Sequence, residues 1–214
     1  MGGGEVLCYV AQGSADIKKH IRGYLVEAPF VDFDPATKPS HFTVTAGRLV
    51  GKLLPSFQMK NKLDVKLISR DTAVQKQMEQ DMLCHDTGTL EGLAALLDRT
   101  GELSKGKIHI GEGAGEGDVT RIWFGHGSKD QITDYNASKS FFDRVKVEDK
   151  EFKTYEGHYH RCQYICVFES VIADYPPVHD EPGTEKQEFM DDVANWILTR
   201  SADPVQEDAS KSKL

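Results

Sequence analysis

Cysteine is scarce in this sequence. Cys8, Cys84, Cys162 and Cys166 share no repeating spacing in a chain of 214 residues, which excludes a disulfide-stapled secreted scaffold and makes reduced thiols the expectation. Long apolar runs are lacking too: no stretch approaches the roughly 18 uninterrupted apolar residues of a membrane-crossing helix. Basic charge falls short of acidic, with 26 Lys and Arg against 34 Asp and Glu and a net charge of −8. No Lys/Arg stripe interleaves with aromatics, so a nucleic-acid partner is not expected. Metal-ligand spacing is equally sparse. Cys162 and Cys166 follow His158 and His160, but a tetrahedral zinc site needs two well-formed ligand pairs, and the expectation is no metal and no cofactor. What the sequence does have is 39% hydrophobic residues, with aromatics making up 9% of the chain, enough to bury a core in one domain or in one domain with an insertion.

The two ends are unusual. Met1-Gly2-Gly3-Gly4-Glu5 has no basic n-region and leads straight into Val6-Leu7-Cys8-Tyr9-Val10-Ala11, which reads as the first turns of a buried helix rather than a signal peptide. The tail from Ser201 is polar and finishes Ser212-Lys213-Leu214. A terminal S-K-L is a peroxisomal address read by an import receptor, so the peroxisome is the expected location, with the cytoplasm or a lipid-droplet surface as the alternative.

Between them, the pattern alternates strand and helix. The run at 21–26 is apolar and is closed by Pro29, as for a buried strand. Phe42, Leu49, Val50, Leu53 and Leu54 fall at helical spacing before Pro55, and Leu90, Leu93, Ala94 and Leu97 do so before Gly101. Residues 32–100 therefore read as a helical insertion, 1–31 and 101–200 as an α/β core, and 201–214 as a flexible tail. The glycine-rich stretch 111–117 lacks the Lys-Ser/Thr of a phosphate-binding loop and reads as a flexible connector. Strands are expected at 119–124 and 150–155, with a helix between them carrying Phe141, Phe142 and Val145. The last helix, 184–200, carries Phe189, Val193, Trp196 and Ile197 on one face, with a capping-box pattern at Thr184 and Gln187.

In open α/β sheets function gathers at the carboxyl ends of the strands. Two of those ends carry titratable groups: Asp130 after the first long strand and His160 after the second. A carboxylate followed by a histidine is the second half of the Ser…Asp…His order of α/β hydrolases, in which the acid fixes the imidazole tautomer and the histidine takes the nucleophile's proton. Asp134 is the runner-up acid, better placed to start the next helix. His126 reads as a structural hydrogen-bonder, while His20, His41, His85 and His109 read as surface or capping residues. Trp123, Trp196, Phe141 and Phe142 read as core.

Gly125-His126-Gly127-Ser128-Lys129-Asp130 resembles the H-G-x-x-D acid loop of the monoacylglycerol lipase branch of the α/β hydrolases, grouped with the serine aminopeptidases, and Tyr155-Glu156-Gly157-His158-Tyr159-His160 resembles its Y-x-G-x-Y-H histidine loop. Leu67-Ile68-Ser69-Arg70-Asp71 and Asp81-Met82-Leu83 are similar to its cap signature, with Met82 where that family usually has Pro. The resemblance implies a partial α/β-hydrolase fold with a helical cap or lid over residues 32–100, and a carboxylic-ester hydrolase acting on a small monoacylglycerol-like lipid, with Asp130 and His160 as the catalytic acid and base. It also exposes two departures. The family carries a nucleophile elbow of the form G-H-S-M-G-G, and Met1-Gly2-Gly3 matches its last three letters. The serine would directly precede Met1, whose backbone N–H would donate to the oxyanion, so the expectation is an amino-terminally truncated chain, inactive as written. A non-catalytic remnant or lipid-binding module of the same fold is the alternative.

The second departure follows His160. The family resumes quickly with a segment of the L-H-x-E-P-G type, which His179-Asp180-Glu181-Pro182-Gly183 supplies after an interruption at 162–178. The interrupting residues back-translate into a donor, a branch sequence and an acceptor, and their excision would fuse a leucine codon between Arg161 and His179. Full-length sequencing of the transcript is expected to show an in-frame Gly-His-Ser ahead of Met1 and reads spliced across 162–178; a message that begins at Met1 and retains those bases would overturn both expectations.

Overall fold

The computed structural model describes residues 1–84, 86–160 and 184–201. In chain order its elements are helices α1 (Gly2–Gln12) and α2 (Ala15–Lys18), strand β1 (Tyr24–Glu27), helix α3 (His41–Leu53), strand β2 (Gln58–Lys60), helices α4 (Val65–Ile68) and α5 (Thr72–Gln80), strand β3 (Thr87–Thr89) and helix α6 (Leu90–Ser104). A 3₁₀ turn at Glu116–Asp118, strand β4 (Arg121–Gly127), helix α7 (Tyr135–Arg144), strand β5 (Asp149–Tyr155) and helix α8 (Thr184–Ser201) complete the described residues.

β4 is the middle of a parallel sheet of order β1-β4-β5. Its apolar run Ile122-Trp123-Phe124 does not alternate because both faces are covered, as a central parallel strand requires. Ile122, Phe124 and β1's Val26 pack on one face with Leu7 and Val10 of α1, Leu103 of α6 and Phe141 of α7. Trp123 and Tyr155 pack on the other with Phe189 and Trp196 of α8. Each fully buried aromatic of this kind contributes about 1.5–3 kcal/mol. Polar ties hold α8 in place as well: the Arg200 guanidinium grips the Asp149 carboxylate with Nε at 3.1 and 2.9 Å from its two oxygens and lies 4.4 Å from the Trp196 ring. The Tyr155 hydroxyl donates to Asp192 at 3.1 Å.

Several expectations shift in detail. The first strand starts at Tyr24 rather than at residue 21, because the Ile21 carbonyl turns to accept from Glu116 N–H. β4 runs on past residue 124, through Gly125, His126 and Gly127, since β5 continues to pair with it as far as Gly127 opposite Tyr155. The stretch 111–117 is not a flexible connector: Thr120 Oγ1 donates to the Gly111 carbonyl and accepts from Ala114 N–H, and the Tyr24 hydroxyl donates to the Ala114 carbonyl at 2.6 Å. On α8, Phe189 and Trp196 are buried whereas Ile197 is exposed. Gln187 reaches forward to Asp191 instead of back toward a cap; Thr184's side chain, His85, Cys162, Cys166, the interruption at 162–178 and Ser212-Lys213-Leu214 lie outside the described residues.

The insertion holds the helices the spacing calls for, and with them a two-stranded antiparallel ladder it does not. β2 and β3 pair antiparallel over three residues each, Gln58 opposite Thr89, too short for a period-two signal. α3 buries no residue; Phe42 is 84% exposed and Leu49, Leu53, Leu54 and Phe57 are exposed with it. Met82 and Leu83 are exposed as well. α6 does not stop at Gly101 but continues to Ser104, so that Leu103 reaches the core. A division at 100/101 thus falls inside one helix, which packs on α3 at one end and on α1 at the other. No helix among the described residues is long and apolar enough to cross a membrane.

The glycines that open α1 have a steric reason. A Cβ on Gly3 would lie 2.9 Å from the Glu27 carbonyl oxygen and from Pro29 Cα, and one on Gly4 would lie 3.0 Å from the Phe30 carbonyl oxygen, all of them backbone atoms just past β1. The helix therefore sits closer to the strand end than any side chain permits. Gly101, in the interior of α6, has open space where its Cβ would be. Thermal or urea unfolding is expected to show Gly3→Ala destabilised by about 1–3 kcal/mol through overpacking and Gly101→Ala stabilised by about 0.5–1 kcal/mol through helix propensity; equal and neutral effects would refute the close-approach account.

Candidate functional site

The carboxyl end of β4 and that of β5 are stitched together beyond the strands. Past Gly127, Ser128 N–H donates to the Tyr155 carbonyl at 2.9 Å and Lys129 N–H donates to the His158 carbonyl at 2.9 Å. Ser128 Oγ then accepts from Gly157 N–H at 2.9 Å and donates to Glu156 at 2.8 Å. Gly157 itself takes φ 79°, in the left-handed region where glycine is favoured. A Cβ on Gly127 would collide with the carbonyl oxygens of His158 and Tyr159. Glycine here is what lets the two loops lie against one another.

That contact brings Asp130 to His160. Asp130 Oδ2 lies 2.8 Å from His160 Nδ1. The carboxylate is fully buried, and the imidazole is partly exposed. Asp130 is fixed from the other side by the turn that follows it: Oδ1 accepts from Ile132 N–H at 2.8 Å and from Thr133 N–H at 3.0 Å, while the Thr133 hydroxyl donates to Oδ2 at 2.7 Å. Burial would raise the carboxyl's proton affinity, but hydrogen bonds from His126 and His160, with the attraction of both rings, hold Asp130 well below the usual carboxylate range. It is an ionised, buried acceptor whose partner presents its Nε2 away from it. His160 Nε2 makes no hydrogen bond to a described residue, so a neutral ring with its proton on Nδ1 carries a free basic nitrogen.

The other sequence candidates separate cleanly. Asp134 is the N-cap of α7, accepting from Asn136 and Ala137 N–H, and is spent on the helix. His126 is wholly buried on β4 and also bonds Asp130, Nε2 to Oδ2 at 3.0 Å. His20, His41 and His109 lie on the surface. Thr133 was not singled out by the sequence; a threonine just ahead of a helix N-cap carries no signal of its own, and its value comes from the turn that aims its hydroxyl at Asp130. Met1 opens α1 at the same end of the sheet. Its amino group is deprived of solvent, which lowers its proton affinity, against the opposing attraction of Glu5 and Asp130.

Comparison with known proteins identifies the family. A family profile described as serine aminopeptidase, S33, matches residues 1–164. The chain belongs to that family of α/β hydrolases. It is 28% identical over 204 residues to a protein named putative monoglyceride lipase from Schizosaccharomyces pombe, an alignment covering 94% of this chain and 46% of the relative. Among solved structures, a soluble variant of monoglyceride lipase from Saccharomyces cerevisiae, determined in complex with a substrate analog, superimposes with a TM-score of 0.72 at 24% identity, over 92% of this chain and 62% of that one. Monoacylglycerol lipase from Paleococcus ferrophilus does so with a TM-score of 0.68 at 22% identity, over 92% and 65%. The chain thus carries part of an α/β-hydrolase fold and spans about half the length of the S. pombe relative.

In this S33 member the ionised Asp130 contributes stability that is complete above the ordinary carboxylate range, near pH 4, and fades as the pH falls through and below it. Asp130→Asn would set amide protons against two ring nitrogens and a hydroxyl that now donate. The expected loss at pH 7 is about 3 kcal/mol or more, with the gap between wild type and variant constant from pH 7 to pH 5 and narrowing below pH 4. Urea unfolding across that range measures it; a gap that stays constant down to pH 3 would show that the carboxylate is not ionised in the fold.

Proposed function

We propose that Asp130 and His160 form the acid–base half of a serine hydrolase that cleaves a carboxylic ester of a monoacylglycerol-like lipid. The observation that carries the reading is the 2.8 Å contact between a buried carboxylate and His160 Nδ1. It fixes the imidazole tautomer and leaves Nε2 free to take a hydroxyl proton and to return it to the leaving alcohol, the role this arrangement has in acyl transfer. The nucleophile belongs at the amino end of α1. That end lies at the Asp130 side of the sheet, its glycines press against the backbone beyond β1, and a helix start offers backbone N–H groups and a positive dipole to the anion that develops on the ester carbonyl.

Ester attack would then proceed as in any two-step acyl transfer. The serine oxygen adds to the ester carbonyl as its proton passes to His160 Nε2, the alcohol leaves with that proton, and water repeats the sequence on the acyl-enzyme. Asp130 keeps its negative charge throughout and stabilises the imidazolium. We assign residues 32–100 to a cap over the acyl group. Support for a lipid substrate comes from the apolar side chains that this segment leaves exposed, among them Phe42, Leu49, Leu53 and Phe57, together with the likeness to proteins named monoglyceride lipase.

On this reading the serine lies outside the 214 residues, so the chain as it stands is expected to release no fatty acid from a monoacylglycerol. The chain extended by the upstream reading frame is expected to do so and to lose about 10⁴-fold in kcat with Asp130→Asn, the size of effect seen when the tautomer is no longer fixed. Hydrolysis by the 214-residue chain that disappears with His160→Gln would place the nucleophile elsewhere in the sequence. An extended chain inert toward monoacylglycerols and simple esters alike would end the hydrolase reading and favour a lipid-binding module.

A further inference from the structure

Asp130 is oversubscribed. Its Oδ1 accepts two backbone N–H groups, from Ile132 and Thr133, while Oδ2 meets three donors: the Thr133 hydroxyl at 2.7 Å, His160 Nδ1 at 2.8 Å and His126 Nε2 at 3.0 Å. A carboxylate offers about four lone-pair sites. Five donors exceed that number, and the excess falls on the oxygen that His160 uses. The Thr133 hydroxyl also lies 3.3 Å from His126 Nε2 and 3.5 Å from His160 Nδ1, so the three donors form one crowded cluster around a single atom.

The surroundings of His126 decide its protonation. Its ring has no exposure, stands edge-on to Tyr135 at 5.6 Å, and its Nδ1 has no hydrogen-bond partner. The Tyr135 hydroxyl is engaged with Thr154 at 2.8 Å. A proton on Nδ1 would bury an unpaired donor, which costs more than a bare lone pair in the same place. Nε2 is the nitrogen placed to donate, and its proton can go nowhere but Asp130 Oδ2 or the hydroxyl beside it.

We propose that His126 is a positioning residue: an imidazole that donates from Nε2 to Asp130 Oδ2, the oxygen His160 also uses, pins the carboxylate in the orientation that meets His160 Nδ1, and by competing for the same oxygen weakens the hydrogen bond that His160 makes there. It rests on the reading of His160 as the base, and it differs from a filler role because it requires a donor, not a ring, at position 126. One carboxylate then serves two histidines that do different work. His160 is partly exposed and has a free nitrogen; His126 is sealed between β4, β5 and α7 and has no route for a proton.

Long-range ¹H–¹⁵N spectra of the histidine-labelled 214-residue chain near pH 7 test this without any turnover, so a failure of the hydrolase reading and a failure of this inference are separate results. His126 is expected to show a proton on Nε2 and a bare Nδ1, and His160 a proton on Nδ1 and a bare Nε2. His126→Phe keeps a ring and removes the donor; the His160 Nδ1–H resonance is expected to move downfield and its exchange with water to slow, as the bond to Oδ2 loses its competitor. His126→Gln, which restores an N–H at similar reach, is expected to return both toward wild type. A wild-type His126 protonated on Nδ1 overturns the proposal, and that measurement stands whether or not the variants fold. So does a folded His126→Phe chain in which the His160 proton is unmoved.

Discussion

The parallel register of β4 against β5 is the constraint on which the rest of this structure depends. His126 opposite Thr154 and Gly127 opposite Tyr155 are its last two pairs, and the ladder does not end with them: Ser128 and Lys129 go on donating to the carbonyls of Tyr155 and His158. A shift by one residue would turn Trp123 and Tyr155 away from α8, turn Phe124 away from α7, and separate Asp130 from His160. Since side chains alternate across a strand, such a slip exchanges the two faces at once. The same apolar burial that stabilises the sheet therefore fixes the distance between two polar groups at its edge.

Backbone proximity is the second requirement, and glycine supplies it between the two loops and at the start of α1. Gly127 lets the acid loop touch the histidine loop, and Gly3 and Gly4 let α1 lie against the chain beyond β1. Neither contact concerns a side chain that does chemistry. Gly127 determines where Asp130 meets His160, and Gly3 and Gly4 determine how closely the start of α1 approaches the same end of the sheet, because these backbones lie nearer than a Cβ permits. The cost is the conformational freedom that glycine loses on folding, about 0.5–1 kcal/mol at each position relative to alanine, which is small beside the burial of the aromatic pairs around Trp123 and Phe124.

Much of this was legible in the sequence. The continuous apolar run of β4, the period-two pattern of β5 and the spacing of α1 and α8 each gave the right element, because each is dictated by what it buries. The Asp130–His160 pairing was legible from order and from the two loops. What was not legible has a common physical character. The ladder of β2 and β3 is too short to carry a period; the ordering of 111–117 comes from the side chains of Thr120 and of the distant Tyr24, which bond its backbone; the continuation of α6 past Gly101 is decided by the core that Leu103 enters. Thr133 likewise gains its place from a turn. Local pattern reports what a residue needs to bury, and it is silent where a residue's partners are polar and remote.

Continuity of α6 bears on how the two parts of the chain act together. A lid on a flexible tether would be free to move independently of the site, whereas here the helix that backs α3 is the same helix whose Leu103 lies in the core against α1. Displacement of the α3 end must either bend α6 or be taken up in the segments around it, and Gly101 is the one position in its last turn with neither a side chain nor a close neighbour. The other tie is softer: Arg70, at the start of α5, lies over the Tyr159 ring at 5.6 Å, one residue from His160. The insertion is thereby tied to the histidine loop through the Arg70–Tyr159 contact and to the core through the unbroken α6, the same core whose packing holds Asp130 beside His160.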